Sequence, residues 1–191
     1  IWDAYDIATT VHPTGIGGGS NSFFYTLPAL MDGLSISASY APTGSGAAGT
    51  EAASGMSATY TGVDGLSVSY GTGDGATANT SAEALKASYA YGPITVAYSN
   101  YEYDADGTSS DDDTTSYKVS YTVSDEISLS YGSETVERGT LQDVETSRIS
   151  ASYTAGGMTI SATMDEIENM DGTTTATQDR ERWALGASFA F

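Results

Sequence analysis

Large apolar and small polar residues alternate along most of the chain. In GLSISASY (33–40), apolar residues occupy the even positions and three serines the odd ones. Such strict alternation is typical of a β-strand whose two faces meet different surroundings. The same pattern recurs in ten further stretches, at 21–27, 55–60, 65–70, 84–91, 94–98, 117–123, 126–131, 148–153, 158–163 and 182–191. The sequence therefore predicts an all-β chain of about eleven strands.

The connections between these strands alternate in length. Tight ones fall at 31–33, 63–65, 91–93, 123–126 and 154–157, and the first three contain Asp-Gly or Gly-Pro pairs, which are typical of turns. Long polar ones fall at 42–54, 71–83, 101–116, 134–147 and 165–181. This alternation of short and long connections predicts an antiparallel up-and-down sheet with short turns at one end and long loops at the other.

The apolar side of the predicted strands carries no charge, and tyrosines lie near its borders. A bilayer requires such a surface, and only a closed barrel leaves no backbone group unpaired in lipid. We therefore predict a transmembrane β-barrel. A secreted or surface β-rich adhesin or structural protein is the alternative, because the strands of β-sandwiches also alternate apolar and polar residues. The regular change of loop length favours the barrel.

Composition narrows the function. The formal net charge of −19 leaves no basic patch for phosphates, so a nucleic-acid partner is excluded. Cysteine is absent, which excludes disulfides and thiol chemistry.

Two stretches carry a family resemblance. SNSFFYTLPALMDGLSISASYAP (20–42) resembles the segment after the constriction loop of Gram-negative general porins, and RWALGASFAF (182–191) resembles their final strand. The resemblance implies a barrel of sixteen strands, of which this chain holds strands 6–16. It makes 1–19 a constriction-loop segment and 20–191 the barrel strands with short periplasmic turns and long extracellular loops. It also implies an outer-membrane homotrimer for passive diffusion of ions and small hydrophilic solutes.

Four of the six basic residues are out of phase with the apolar side: Lys86, Lys118, Arg148 and Arg182. We predict that they line the pore. Porins of this family place a basic cluster opposite acidic residues of the constriction loop, so the resemblance makes Asp3 and Asp6 the candidates for the acidic side. A field between the two groups would tune ion preference.

No enzymatic chemistry is indicated. The only histidine, His12, lies in the N-terminal segment, so a Ser/His pair on a barrel wall is not expected. We predict no catalytic residue, no cofactor and no specific metal site. The stretch DADGTSSDDD (104–113) contains Asp-x-Asp-Gly, but Thr115 stands where a calcium loop needs its closing glutamate. Loosely bound Ca²⁺ at the acidic loops, bridging to lipopolysaccharide or to a neighbouring subunit, is the remaining expectation.

Overall fold

The computed structural model describes residues 22–43, 49–105, 111–173 and 179–190. Within these ranges the prediction of eleven antiparallel strands is confirmed. The strands are β1 (Phe23–Thr26), β2 (Leu34–Ala41), β3 (Ala53–Tyr60), β4 (Leu66–Asp74), β5 (Ser81–Tyr91), β6 (Ile94–Asp104), β7 (Asp112–Thr122), β8 (Ile127–Arg138), β9 (Val144–Ala155), β10 (Met158–Glu168) and β11 (Arg180–Phe189). A short 3₁₀ turn covers Met170–Gly172. Among the described residues, no helix has the length and apolar character needed to cross a membrane.

The strands form one sheet in chain order, each paired with its sequence neighbours. The described part of the sheet is open, with β1 and β11 as its edges. The connections at one end, called here the turn end, have two to seven residues, and those at the other, the loop end, have five to eleven. The predicted up-and-down topology is therefore present, and every connection is local.

At the loop end the strands run further than the alternation indicated. β6 continues to Asp104 and β7 starts at Asp112, inside a stretch predicted as loop. β8 likewise reaches Arg138, and β9 starts at Val144. The outward positions there are acidic or polar, so the apolar signal stops while the backbone ladder continues. Ladder hydrogen bonds need no apolar side chain, and the sequence pattern therefore underestimates strand length.

The two faces of the sheet differ in chemistry. Directly opposed residues of antiparallel strands share a face, so the register assigns every side chain. On the polar face, hydroxyls bond across strands, as in Ser128–Ser152 at 2.7 Å and Ser130–Ser150 at 2.6 Å. The apolar face leaves large side chains uncovered even on central strands, with Tyr117 55% and Tyr131 51% exposed. An uncovered apolar wall of this extent needs a nonaqueous neighbour.

The apolar side chains form a band across the sheet, and the strands cross this band at an angle. Leu66, at the turn end of β4, lies in the register row that ends at Trp183, at the loop end of the apolar stretch in β11. The apolar stretch thus drifts by about six residues over seven strand-to-strand steps. With a rise of about 3.3 Å per residue and a spacing of about 4.8 Å between strands, this corresponds to a tilt of roughly 30°. That value is close to the tilt of about 35–45° in membrane barrels.

Two turns depend on glycine. Gly65 has φ 74° in the Asp64-Gly65 turn, and a Cβ there would lie 2.2 Å from the carbonyl oxygen of Ala90. Gly33 has φ 76° in the Asp32-Gly33 turn. Both positions combine a left-handed backbone with a close neighbour, which only glycine tolerates at low cost.

Candidate functional site

All six basic residues of the chain lie on the polar face. They are Lys86, Lys118, Arg138, Arg148, Arg180 and Arg182. The polar face of the described strands carries three acidic residues, Asp112, Glu134 and Asp165. Basic side chains therefore outnumber acidic ones on this face, although the chain as a whole is strongly acidic.

The four predicted pore-lining residues share this face, and three of them share one register row. Lys118 is opposite Gly132, Gly132 is opposite Arg148, and Arg148 and Arg182 are both opposite Asp165. We call Lys118, Arg148, Asp165 and Arg182 the charged row. Lys86 lies in a neighbouring row, opposite Ser69 and Ser99. Their role in a pore stays a prediction.

Asp165 is the centre of the charged row. Its side chain is fully buried, and its two oxygens point to different strands. The Arg148 Nε donates to Oδ1, while Arg182 donates to Oδ2 from Nη2 at 2.7 Å and from Nε at 3.0 Å. Charge-assisted hydrogen bonds of this kind fix both guanidinium planes against the wall. The unit of three side chains keeps a net charge of +1.

A second buried carboxylate is paired nearer the loop end. Arg138 at the end of β8 donates to Asp112 at the start of β7, from Nε at 2.5 Å and from Nη2 at 3.0 Å. Between the two ion pairs, the Ser116 hydroxyl donates to Glu134 at 2.9 Å. The acidic side chains of the polar face are thus all held by described partners.

Asp165, Asp112 and Arg138 lie in stretches predicted as loops, so the alternation did not identify them as polar-face residues. Their signal was present in the phase of the strands. In β10, Thr159, Ser161 and Thr163 lie on the polar face, and Asp165 is the next residue in step. The constriction-loop candidates Asp3 and Asp6, and the whole segment 1–19, lie outside the described residues.

Ten acidic residues of the described strands lie on the apolar-face side, all towards the loop end. We call them the acidic collar: Asp74, Glu83, Glu102, Asp104, Asp113, Glu137, Glu145, Glu166, Glu168 and Glu181. The collar begins where the apolar side chains end. Glu83, Glu102 and Asp113 are directly opposed on adjacent strands. Partial burial, followed by repulsion from Asp113 and Glu83, raises the pKa of Glu102.

No group of three or more His, Cys, Asp or Glu side chains among the described residues has the geometry to hold a metal ion. The collar carboxylates are spread along a wall, so they would attract cations as a diffuse charge.

An apolar cap covers part of the polar face at the loop end. Val136, Val144 and Ile167 take polar-face positions in β8, β9 and β10, and Met170 of the 3₁₀ turn packs with them. Each is at most 4% exposed. The Gln142 backbone N–H donates to the Gly172 carbonyl at 3.1 Å, and the Asn169 side chain donates to the Asp143 carbonyl at 3.1 Å. The β8–β9 and β10–β11 loops are therefore joined, and the 3₁₀ turn lies over the sheet.

The comparison with protein families decides the assignment. Residues 1–144 match the family model described as Gram-negative porin. The chain belongs to the Gram-negative porin family. The porin assignment places the chain in the bacterial outer membrane, favours a channel over an enzyme, and disfavours the adhesin alternative.

Solved structures give the same fold for this porin chain. OccK8 (OprE) of Pseudomonas aeruginosa is 13% identical, with a TM-score of 0.62, 85% of this chain covered and 59% of that chain covered. OmpT of Vibrio cholerae is 18% identical, with a TM-score of 0.61, covering 88% of this chain and 63% of that one. The anion-selective porin from Comamonas acidovorans is 15% identical, with a TM-score of 0.61 and coverage of 87% and 55%. No curated protein sequence matches the chain.

This porin chain therefore spans about 55–63% of the length of these three relatives. The eleven described strands correspond to part of their barrels.

Proposed function

We propose that the eleven strands form part of the wall of a water-filled channel for passive diffusion of ions and small hydrophilic solutes. The proposal rests on the location of the basic residues: all six lie on the face that also carries the hydroxyl pairs. In a barrel with the observed tilt, that face lines the lumen and the apolar face meets lipid. A cation on the lipid face would cost about 2–4 kcal/mol at the bilayer midplane, whereas lumen positions carry no such penalty.

The proposed selectivity device is the polar-face cluster of Lys86, Lys118, Arg148 and Arg182. The charged row holds two of its guanidiniums in fixed positions on the wall. Charged rings and walls select ions by charge and field strength rather than by reaction. We further propose that Asp3 and Asp6 provide the opposing acidic side, with the segment 1–19 as the constriction loop.

We also propose a homotrimer in contact with lipopolysaccharide. The acidic collar lies at the level where lipid headgroups begin, and lipopolysaccharide is itself anionic. Loosely bound Ca²⁺ between the two would offset their repulsion. The support for this part is the continuous negative charge of the collar beside the apolar wall.

Single-channel recording of the full-length protein in planar bilayers tests the proposal. Stepwise conductance that closes in groups of three is expected of a trimeric channel, and the reversal potential in a salt gradient reports ion preference. Lys118→Gln should shift that potential towards cations, whereas Val119→Ala, on the opposite face of the same strand, should leave it unchanged. A protein that gives no conductance and stays soluble without detergent would overturn the channel.

A further inference from the structure

Asp165 is the one fully buried carboxylate in the charged row, and it contacts no bulk solvent. Its neighbours on both sides are guanidiniums, from β9 and from β11. The two arginines differ in exposure: Arg182 is 51% exposed and Arg148 20%. Asp165 is 0% exposed, so a solute in the lumen would meet the guanidiniums before it meets the carboxylate.

We infer that Asp165 is a positioning residue that sets the ion preference of the channel by fixing Arg148 and Arg182 and cancelling one of their two charges. The inference rests on the proposed channel function and extends it, because it assigns control of the field to a side chain that solutes do not touch. The carboxylate acts through the geometry and the net charge of the two guanidiniums.

The contacts explain why this carboxylate is needed. Two arginine side chains on strands separated by one strand would repel each other, and long cationic side chains extend towards water when nothing holds them. Asp165 uses one oxygen for each arginine, so both guanidiniums stay against the wall. A buried carboxylate in turn requires charged partners, which makes the arrangement mutually dependent.

The apolar cap covers Asp165 on its loop-end side. Ile167 follows Asp165 on the same face, and it is 1% exposed beneath Met170. Solvent at the loop end therefore cannot replace the arginines as the partner of the carboxylate.

Reversal potentials of Asp165→Asn in the full-length channel test the inference. Asparagine keeps the shape, removes one negative charge and leaves one acceptor oxygen where two guanidiniums had one each. The anion-to-cation permeability ratio should rise about twofold, as expected for one unit charge within a Debye length of the ion path. Asp165→Glu, which keeps the charge, should retain most of the wild-type ratio. Asp125→Asn removes an exposed carboxylate from the β7–β8 turn, more than a Debye length from the charged row, and should leave the ratio unchanged.

A double-mutant cycle with Arg182→Gln separates positioning from simple charge. If Asp165 acts through the arginines, its substitution changes the ratio less when Arg182 is already absent. Equal effects in both backgrounds would overturn the positioning role, and a conducting Asp165→Asn channel with unchanged ratio would overturn the whole inference. If Asp165→Asn fails to assemble, Arg182→Gln alone is the test. It should lower the anion-to-cation permeability ratio about twofold, because the remaining Arg148–Asp165 pair is neutral. An unchanged ratio in Arg182→Gln would also overturn the inference. A wild-type protein without conductance would instead reject the proposed function.

Discussion

Arg138 and Asp112 close the loop ends of β8 and β7 with two parallel hydrogen bonds, of 2.5 Å and 3.0 Å. The Asp112 side chain is fully buried and Arg138 is 23% exposed. Replacing Arg138 by Gln would leave a buried carboxylate without its guanidinium. We expect the free energy of unfolding to fall by about 2–4 kcal/mol, because breaking one side of a buried pair costs more than the pair contributes.

The measurement is urea unfolding of Arg138→Gln, Asp112→Asn and the double variant, in lipid vesicles. The double variant should be more stable than Arg138→Gln, since it leaves no buried charge. Thr140→Ala, at an exposed position of the adjoining β8–β9 loop, is the control and should unfold like the wild type. A double variant less stable than Arg138→Gln would contradict this account.

Strand identity was predictable because alternation depends on the surroundings of each face. Leu34 to Tyr40 meet one medium on the even positions and another on the odd, and the described β2 follows that phase. Strand ends were less predictable, because Glu102 and Asp104 stop the apolar signal while β6 continues. Following the phase rather than the hydropathy would have extended β10 through Asp165 and identified the partner of Arg148 and Arg182.

The apolar cap could not be predicted by any local rule. Val144 and Ile167 lie on the polar face, so their positions contradict the alternation that assigns the faces. They are buried because the 3₁₀ turn at Met170 folds over them, which is a contact between segments distant in sequence. Tertiary packing of this kind overrides the pattern of a single strand.

Gly65→Ala should destabilise the β3–β4 turn. Gly65 has φ 74°, and the added Cβ would meet the Ala90 carbonyl oxygen at 2.2 Å. We expect a loss of about 1–3 kcal/mol from the strained backbone and the displaced neighbour. Gly71→Ala is the matched control, because its Cβ would have its nearest neighbour at 3.6 Å. Equal thermal unfolding of the two variants would show that the turn does not need glycine.

A cation should be tolerated on one face of β7 and not on the other. Val119 is 48% exposed on the apolar face, and Ser120 is the next residue on the polar face. In a bilayer Val119→Arg should cost about 2–4 kcal/mol, while Ser120→Arg should cost much less. Heat-modifiable gel mobility of folded protein, recovered from membranes, measures the difference. Similar recovery of both variants would argue against a lipid-facing Val119.

Removing one charge from the acidic collar should stabilise the fold at neutral pH. The pKa of Glu102 is raised, first by partial burial and then by Asp113 and Glu83, so its ionised form is disfavoured in the folded state. That penalty is present above the raised pKa and is lost as the pH falls through it. Glu102→Gln should therefore raise the thermal unfolding temperature at pH 7, and the gain should shrink in acid. If the rise in unfolding temperature were larger in acid than at pH 7, the ionised Glu102 would not be the destabilising form.

Substitution in the apolar cap should open the loop end of the proposed channel. Met170 is 4% exposed against Val136, Val144 and Ile167, and an aspartate there would bury an unpaired charge. The cost of several kcal/mol exceeds what the 3₁₀ turn gains by packing, so the turn should leave the polar face. Met170→Asp should then raise single-channel conductance and make the β10–β11 loop more sensitive to added protease. Glu168→Gln, two residues earlier and exposed, is the control. Unchanged conductance together with a newly cleaved loop would mean that the cap packs on the wall without narrowing the ion path.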